Sequence, residues 1–117
     1  MNTTPAATTA AYLEAWKKLD MDGVFRHVHP DVTYVGALQK LEGKAAIRDY
    51  FDAFARMVDT VVVRAHAVEG DHALIAFDFH CRPPVGIGRV AEMLTFNAGL
   101  IASIEHFFDP RPFLQNG

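Results

Sequence analysis

Cysteine is almost missing from this 117-residue chain: Cys81 is the only one. An internal disulfide and a cysteine-based zinc site are therefore excluded, and a lone thiol fits a reducing compartment, so a cytoplasmic location is expected. Basic clusters are missing too. The formal net charge is −3, and without a positive stripe no nucleic-acid partner is expected. No uninterrupted apolar run is long enough to cross a bilayer, so no membrane is expected as a partner. The opening MNTTPAATTA lacks the basic region and apolar core of a secretory signal. A phosphate-cradling loop is absent, because Gly86-Ile87-Gly88 stands in a hairpin and not between a strand and a helix. His27 and His29 find no carboxylate or thiol nearby to complete a metal site. Neither a metal nor an organic cofactor is expected.

What is present is an ordinary globular composition, 50% hydrophobic and 21% charged, long enough for one domain with a core of its own. Residues 1–117 are read as a single domain with a loose polar tail at 1–7. Helix formers run from about Thr8 to Leu19, with Tyr12, Trp16 and Leu19 on one face. A short helix follows from Met21 to Val28, stopped by Pro30. Asp31 to Gly36 is β-branched and aromatic, hence a strand that puts Val32 and Tyr34 on one face. A longer helix spans about Lys44 to Val58, with Ile47, Tyr50, Phe51, Phe54 and Met57 along its apolar stripe. Strands follow at Thr60–Glu69 and Ala73–Arg82. In the second, Phe77, Phe79 and Cys81 alternate with Asp78, His80 and Arg82, which read as a solvated or subunit-facing strip.

The last two strands, within Arg89 to Pro110, carry the chemistry. Asn97-Ala98-Gly99 supplies the turn between them. Val90, Glu92, Leu94 and Phe96 share a face of the first strand. If Phe96 pairs with Leu100, Ala102, Ile104, His106 and Phe108 join them from the second. That register makes Glu92 and His106 diagonal neighbours on an otherwise oily face; pairing Arg82 with Ile87 would set Phe77 opposite Glu92. A carboxyl and an imidazole there cost desolvation energy unless something answers them. They form a candidate acid/base pair: burial raises a carboxyl's pKa toward the range in which histidine exchanges protons. The plainer alternative is a pair that merely satisfies itself in the core. Asp109, beside Pro110, reads as a turn cap.

The run YLEAWKKLDMDGVF, the segment HPDVTYVGALQKLEGKAAIRDYF and the terminal LTFNAGLIASIEHFFDP resemble the SnoaL-like and ketosteroid-isomerase-like families of the nuclear transport factor 2-like superfamily. The resemblance covers nearly the whole chain. Its landmarks are the D-x-D-G after the first helix, the Gly-x-x-x-Ile-Arg at the third, and G-x-I followed by F-F-D-P. It implies an α+β fold: a curved antiparallel sheet wrapped by three helices into a cone with an internal cavity, a cystatin-like α+β barrel. It also implies a helix-one tyrosine and a strand carboxyl as oxyanion donors, which fall on Tyr12 and Glu92. The isomerases' general base, an Asp after the first strand, is replaced by Gly36. In polyketide cyclases an acidic group on the last strand falls at His106. The arginine that epoxide hydrolases need is replaced by Ala76.

Taken together, Glu92, His106 and Tyr12 are the candidate catalytic residues. Trp16, Tyr34, Phe51, Phe54, Phe77, Phe79, Val90, Leu94 and Phe108 are the candidate walls of a pocket for a small hydrophobic ligand. The expected chemistry is cofactor-independent proton transfer next to a carbonyl, as isomerase, dehydratase or aldol cyclase. The alternative is a non-catalytic binding or assembly module. Ala91, Met93, Thr95 and Phe107 alternate out of the pocket, so a homodimer through the outer sheet face is expected.

Overall fold

The computed structural model describes residues 4–114. The tail expected at 1–7 lies partly outside that range, and within it Pro5 to Ala7 are already helical. Thr4 accepts a hydrogen bond from the Ala7 amide at 3.1 Å, and Pro5 needs no amide partner at the first turn. Helix α1 (Pro5–Lys17) thus starts earlier than Thr8. It ends in a Schellman motif, with Asp20 N bonded to Ala15 O, Leu19 N to Trp16 O, and Leu19 at φ 54°. Asp20 then caps helix α2 (Met21–Phe25), accepting from Gly23 N at 3.1 Å.

Helix α2 stops short of Val28, because that residue is recruited into strand β1 (Val28–Val35), where it pairs with Ile101. Pro30 therefore sits inside a strand. It falls where the β1 register breaks between Val28 and Thr33, and an absent N–H costs no ladder bond there. A strand too short to read from the sequence, β2 (Lys40–Glu42), folds back on β1. Helix α3 (Lys44–Ala55) also ends early, since Val58 opens β3 (Val58–Glu69) opposite Cys81. Strands β4 (His72–Cys81), β5 (Ile87–Asn97) and β6 (Leu100–Phe108) follow, then a four-residue helix α4 (Arg111–Leu114).

The six strands form one curved, unclosed sheet in the order β2-β1-β6-β5-β4-β3. The α+β layer with helices over one sheet face is as expected, with a sixth strand and a fourth helix added. The β1–β6 pair is parallel and the rest are antiparallel. Alternation holds across the centre: Phe77, Phe79, Val90, Leu94 and Ile104 are buried, whereas Asp78 and His80 are on the opposite face. No helix among the described residues is long and apolar enough to cross a membrane.

The sequence landmarks turn out to be joints. Asp22 accepts from Arg48 at 2.8 Å, tying α2 to α3, and Arg48 also reaches Asp52 on its own helix. Gly43, at φ 92°, turns the chain into α3. Asp109 Oδ1 accepts from the Arg111 amide at 3.0 Å, and the Arg111 guanidinium helps hold its carboxyl at about 2, well below the usual carboxylate range. The turn-cap reading of Asp109 stands on that contact.

Candidate functional site

The β5–β6 turn is shorter than expected. Asn97 pairs with Leu100, leaving Ala98 at φ 54° and Gly99 at φ 80° as a two-residue turn, the positive-φ pair of a type I′ hairpin. Phe96 then pairs with Ile101 and not Leu100, and Thr95 with Ser103, so Ala102 is an extra residue bulged from the ladder. Turn and bulge together slide β6 so that Glu92 and His106 stand directly opposite, not diagonally. On β4, Ile75 faces Glu92, and Phe77 faces Val90.

Direct opposition brings the pair into contact. His106 Nε2 and Glu92 Oε2 are 2.5 Å apart, and Glu92 is 1% exposed. His106 Nδ1 lies 2.9 Å from the Tyr34 hydroxyl, delivered by β1, whose Tyr34 pairs with Ile104. The imidazole stacks on Phe51 at 5.5 Å and meets the Tyr34 ring edge-on. Both of its nitrogens are engaged, one by a carboxyl in the core and the other by a phenol.

Tyr34 reaches this position because Gly36 makes room. A Cβ built on Gly36 would fall against the Tyr34 hydroxyl and 2.8 Å from its Cζ. The tyrosine thus occupies the space beside the position where the isomerases carry their base. Burial, then the neighbouring Tyr50 hydroxyl, pushes the Tyr34 phenol well above its ordinary pKa, so it stays protonated.

Beside this relay lies a cavity of about 220 Å³. Seven of the nine expected wall residues line it: Trp16, Tyr34, Phe51, Phe54, Phe79, Val90 and Phe108. Phe77 and Leu94 do not; they are buried beneath it, with Phe77 stacked on Phe79 at 4.8 Å. His106 is on the wall, whereas Glu92 and Tyr12 are sealed behind it. Tyr12 therefore faces Glu92 and not the cavity space. Burial and the nearby carboxyl push its phenol well above the ordinary value. Tyr12 Oη, Trp16 Nε1 and Glu92 Oε1 are all buried without a hydrogen-bond partner among the described residues.

Leu38, Tyr50, Ala53, Met57 and Phe113 complete the wall. Tyr50 and Met57 were visible as members of the α3 stripe, though not as pocket residues. Phe113 had no such signal, because a four-residue helix beyond Pro110 has too few turns to show a period. Its ring packs on Phe54 and Phe108, over Gly88, where a Cβ would come 2.8 Å from its Cζ.

The family model described as the SnoaL-like domain matches residues 9–104. Comparison with curated proteins gives no significant match. Among solved structures, a protein from Kribbella flavida is 30% identical, covers 92% of this chain and 88% of its own, and superposes with a TM-score of 0.84. An NTF2-like protein of unknown function from Cytophaga hutchinsonii is 17% identical with a TM-score of 0.82, covering 98% of both chains. TerC, co-crystallised with polyporic acid, is 18% identical with a TM-score of 0.75, covering 94% and 95%.

Proposed function

The chain belongs to the SnoaL-like domain family, and on that footing we propose that its aromatic cavity binds a small hydrophobic carbonyl compound and that His106 and Glu92 move a proton next to the carbonyl. The observation that carries this reading is the 2.5 Å contact between a fully buried carboxyl and an imidazole that itself lines the cavity. An isolated buried carboxylate is costly. Paired with His106, Glu92 becomes a proton source or sink that the ligand reaches through the ring. Tyr12 acts on Glu92 from behind and does not touch the ligand. The volume limits the ligand. Drug-sized pockets run from about 300 Å³ upward, so a cavity of about 220 Å³ suits one or two rings and not a steroid. That a protein of the same fold, TerC, was co-crystallised with polyporic acid supports treating the cavity as a small-molecule site.

The reaction class is isomerisation, dehydration or aldol cyclisation, without a cofactor. The test uses 1-tetralone and follows deuterium exchange at the carbon beside its carbonyl. His106→Ala should abolish protein-dependent exchange while leaving tetralone binding measurable. Glu92→Gln should retain binding and some exchange, since an amide still hydrogen-bonds to His106.

A second reading, a non-catalytic binding module, is favoured by one observation: both His106 nitrogens are already occupied within the protein. Binding of tetralone by the unaltered protein with no exchange above the solution rate would establish it over the first.

A further inference from the structure

The relay has a direction, and the direction gives Tyr34 a role that neither of the readings above assigns. His106 is the one possible charge partner in contact with Glu92 among the described residues, and no Lys or Arg lines the cavity. Its second oxygen, Oε1, has no hydrogen-bond partner among the described residues, and the neighbouring Tyr12 phenol is a neutral group that cannot cancel a charge. A net negative charge on the pair would therefore stand in the core without compensation, which is far costlier than a neutral arrangement. One neutral arrangement puts the carboxyl proton on Glu92 Oε1 and has Oε2 accept from Nε2–H, but it buries a hydroxyl that has no hydrogen-bond partner among the described residues, and a neutral N–H···O bond runs about 2.7–3.2 Å, longer than the 2.5 Å contact here. Two neutral arrangements remain. Either Glu92 is protonated and donates to Nε2 of a neutral ring, or Glu92 is ionised and accepts from Nε2 of an imidazolium. They differ only in where the shared proton rests. In both, Nδ1 carries a hydrogen.

We infer that His106 Nδ1–H donates to the Tyr34 oxygen, and that the Tyr34 hydroxyl hydrogen is thereby released to donate into the cavity. The opposite sense, Tyr34 donating to a bare Nδ1, would set Nε2–H against either a lone carboxylate, which is the uncompensated anion, or a Glu92 protonated on its unpartnered oxygen, the arrangement set aside above. Tyr34 is thus the ligand-contacting donor, oriented through His106 by Glu92. Its phenol lies over Gly36, where the absence of a side chain leaves it room to reach His106. The half-exposed Tyr50, whose ring lies 5.4 Å from that of Tyr34, flanks the same spot. The specificity that follows is for an oxygen that accepts: a carbonyl or its enolate in preference to a hydrocarbon of the same shape. This inference rests on the cavity being a ligand site, as proposed above.

The experiment has two arms. In the first, the protein is labelled with ¹⁵N-histidine and needs no ligand; His106→Gln identifies the resonances of this ring among the six histidines. A hydrogen on Nδ1 at neutral pH is expected, and a bare Nδ1 with a protonated Nε2 would overturn the inference whatever the protein binds. In the second, carbonyl-¹³C 1-tetralone is compared with tetralin, which has the same rings and no oxygen. The native protein should prefer tetralone by about tenfold, the worth of one neutral hydrogen bond, and should shift its carbonyl resonance. Tyr34→Phe should remove both the preference and the shift while tetralin affinity stays the same. A preference and shift that survive Tyr34→Phe would mean that another group is the donor. Binding of neither compound would overturn the cavity reading and the donor role together, while the nitrogen result would still report the direction of the relay. Circular dichroism of Tyr34→Phe guards against a variant that has failed to fold, and the first arm does not depend on it.

Discussion

Gly36 is the smallest residue in the site and sets its geometry. Any side chain there collides with the Tyr34 phenol, because a β-carbon on Gly36, just past the end of β1, would stand 2.8 Å from the ring's Cζ. Gly36→Ala should therefore push Tyr34 off His106, destabilise the fold by about 1–3 kcal/mol, and weaken tetralone binding more than tetralin binding. Thermal melts and paired titrations check this; equal losses for the two ligands would mean that Tyr34 had not moved. Gly36→Asp should not restore an isomerase base, because its carboxyl would compete for space already filled. Glu92 and His106 are coupled in the same way. His106→Leu leaves a buried carboxyl without its partner and should cost about 1–3 kcal/mol, whereas adding Glu92→Leu should recover part of that loss. A denaturant series on the two single variants and the double variant measures it. The presence of the pair was legible in the sequence, as polar residues on an oily face. Its partner Tyr34 was legible only as a wall, because a contact between residues 72 apart leaves no periodic trace.

At the level of elements, the β5–β6 hairpin was legible in its strands and faces but not in its register. The bulge at Ala102 explains the difference: alanine carries no signature for an extra residue, yet the extra residue decides who stands opposite whom. Helix ends were misjudged for a related reason. Val28 and Val58 suit a helix or a strand locally, and distant partners, Ile101 and Cys81, settle the matter. Helix α4 yields two predictions. Gly88→Val should displace the Phe113 ring and widen the cavity mouth, raising the ligand off-rate with little effect on the His106 nitrogen spectrum. Stopped-flow release of tetralone checks it. The Asp109–Arg111 contact that caps α4 depends on acid. The folded carboxyl titrates at about 2, below the ordinary unfolded value of about 3.9. Its stabilising contribution is therefore present above that unfolded value and is lost as pH falls through about 2. Nuclear Overhauser contacts between Phe113 and Phe108 should weaken over that window and not above it.

For the molecule as a whole, the outer sheet face carries several exposed apolar side chains. Leu74 and Phe107 are each 56% exposed, and Val62 is 40% exposed, with Ala91 also open to solvent. An exposed apolar patch of that kind is expected to pair with its own copy. Sedimentation at micromolar concentration should give a dimer, and Phe107→Lys should give a monomer that keeps its fold. A native monomer would set the homodimer aside. The layer order and the helical side of the sheet were readable from alternation and amphipathic stripes. The parallel β1–β6 pair was not, because neither strand's sequence names its neighbour. That pair also governs when the site exists. Tyr34 and His106 sit on strands separated by most of the chain, so the loop that joins them is among the last to close. As the chain leaves the ribosome at about 5–20 residues per second, Tyr34 emerges seconds before the imidazole it will hold. Until β6 arrives, β1 lacks its parallel neighbour, and the aromatic wall has no lining from that side. The nascent protein therefore passes through a period in which its stickiest surface is open, and a chaperone that covers β1 would have its work to do then.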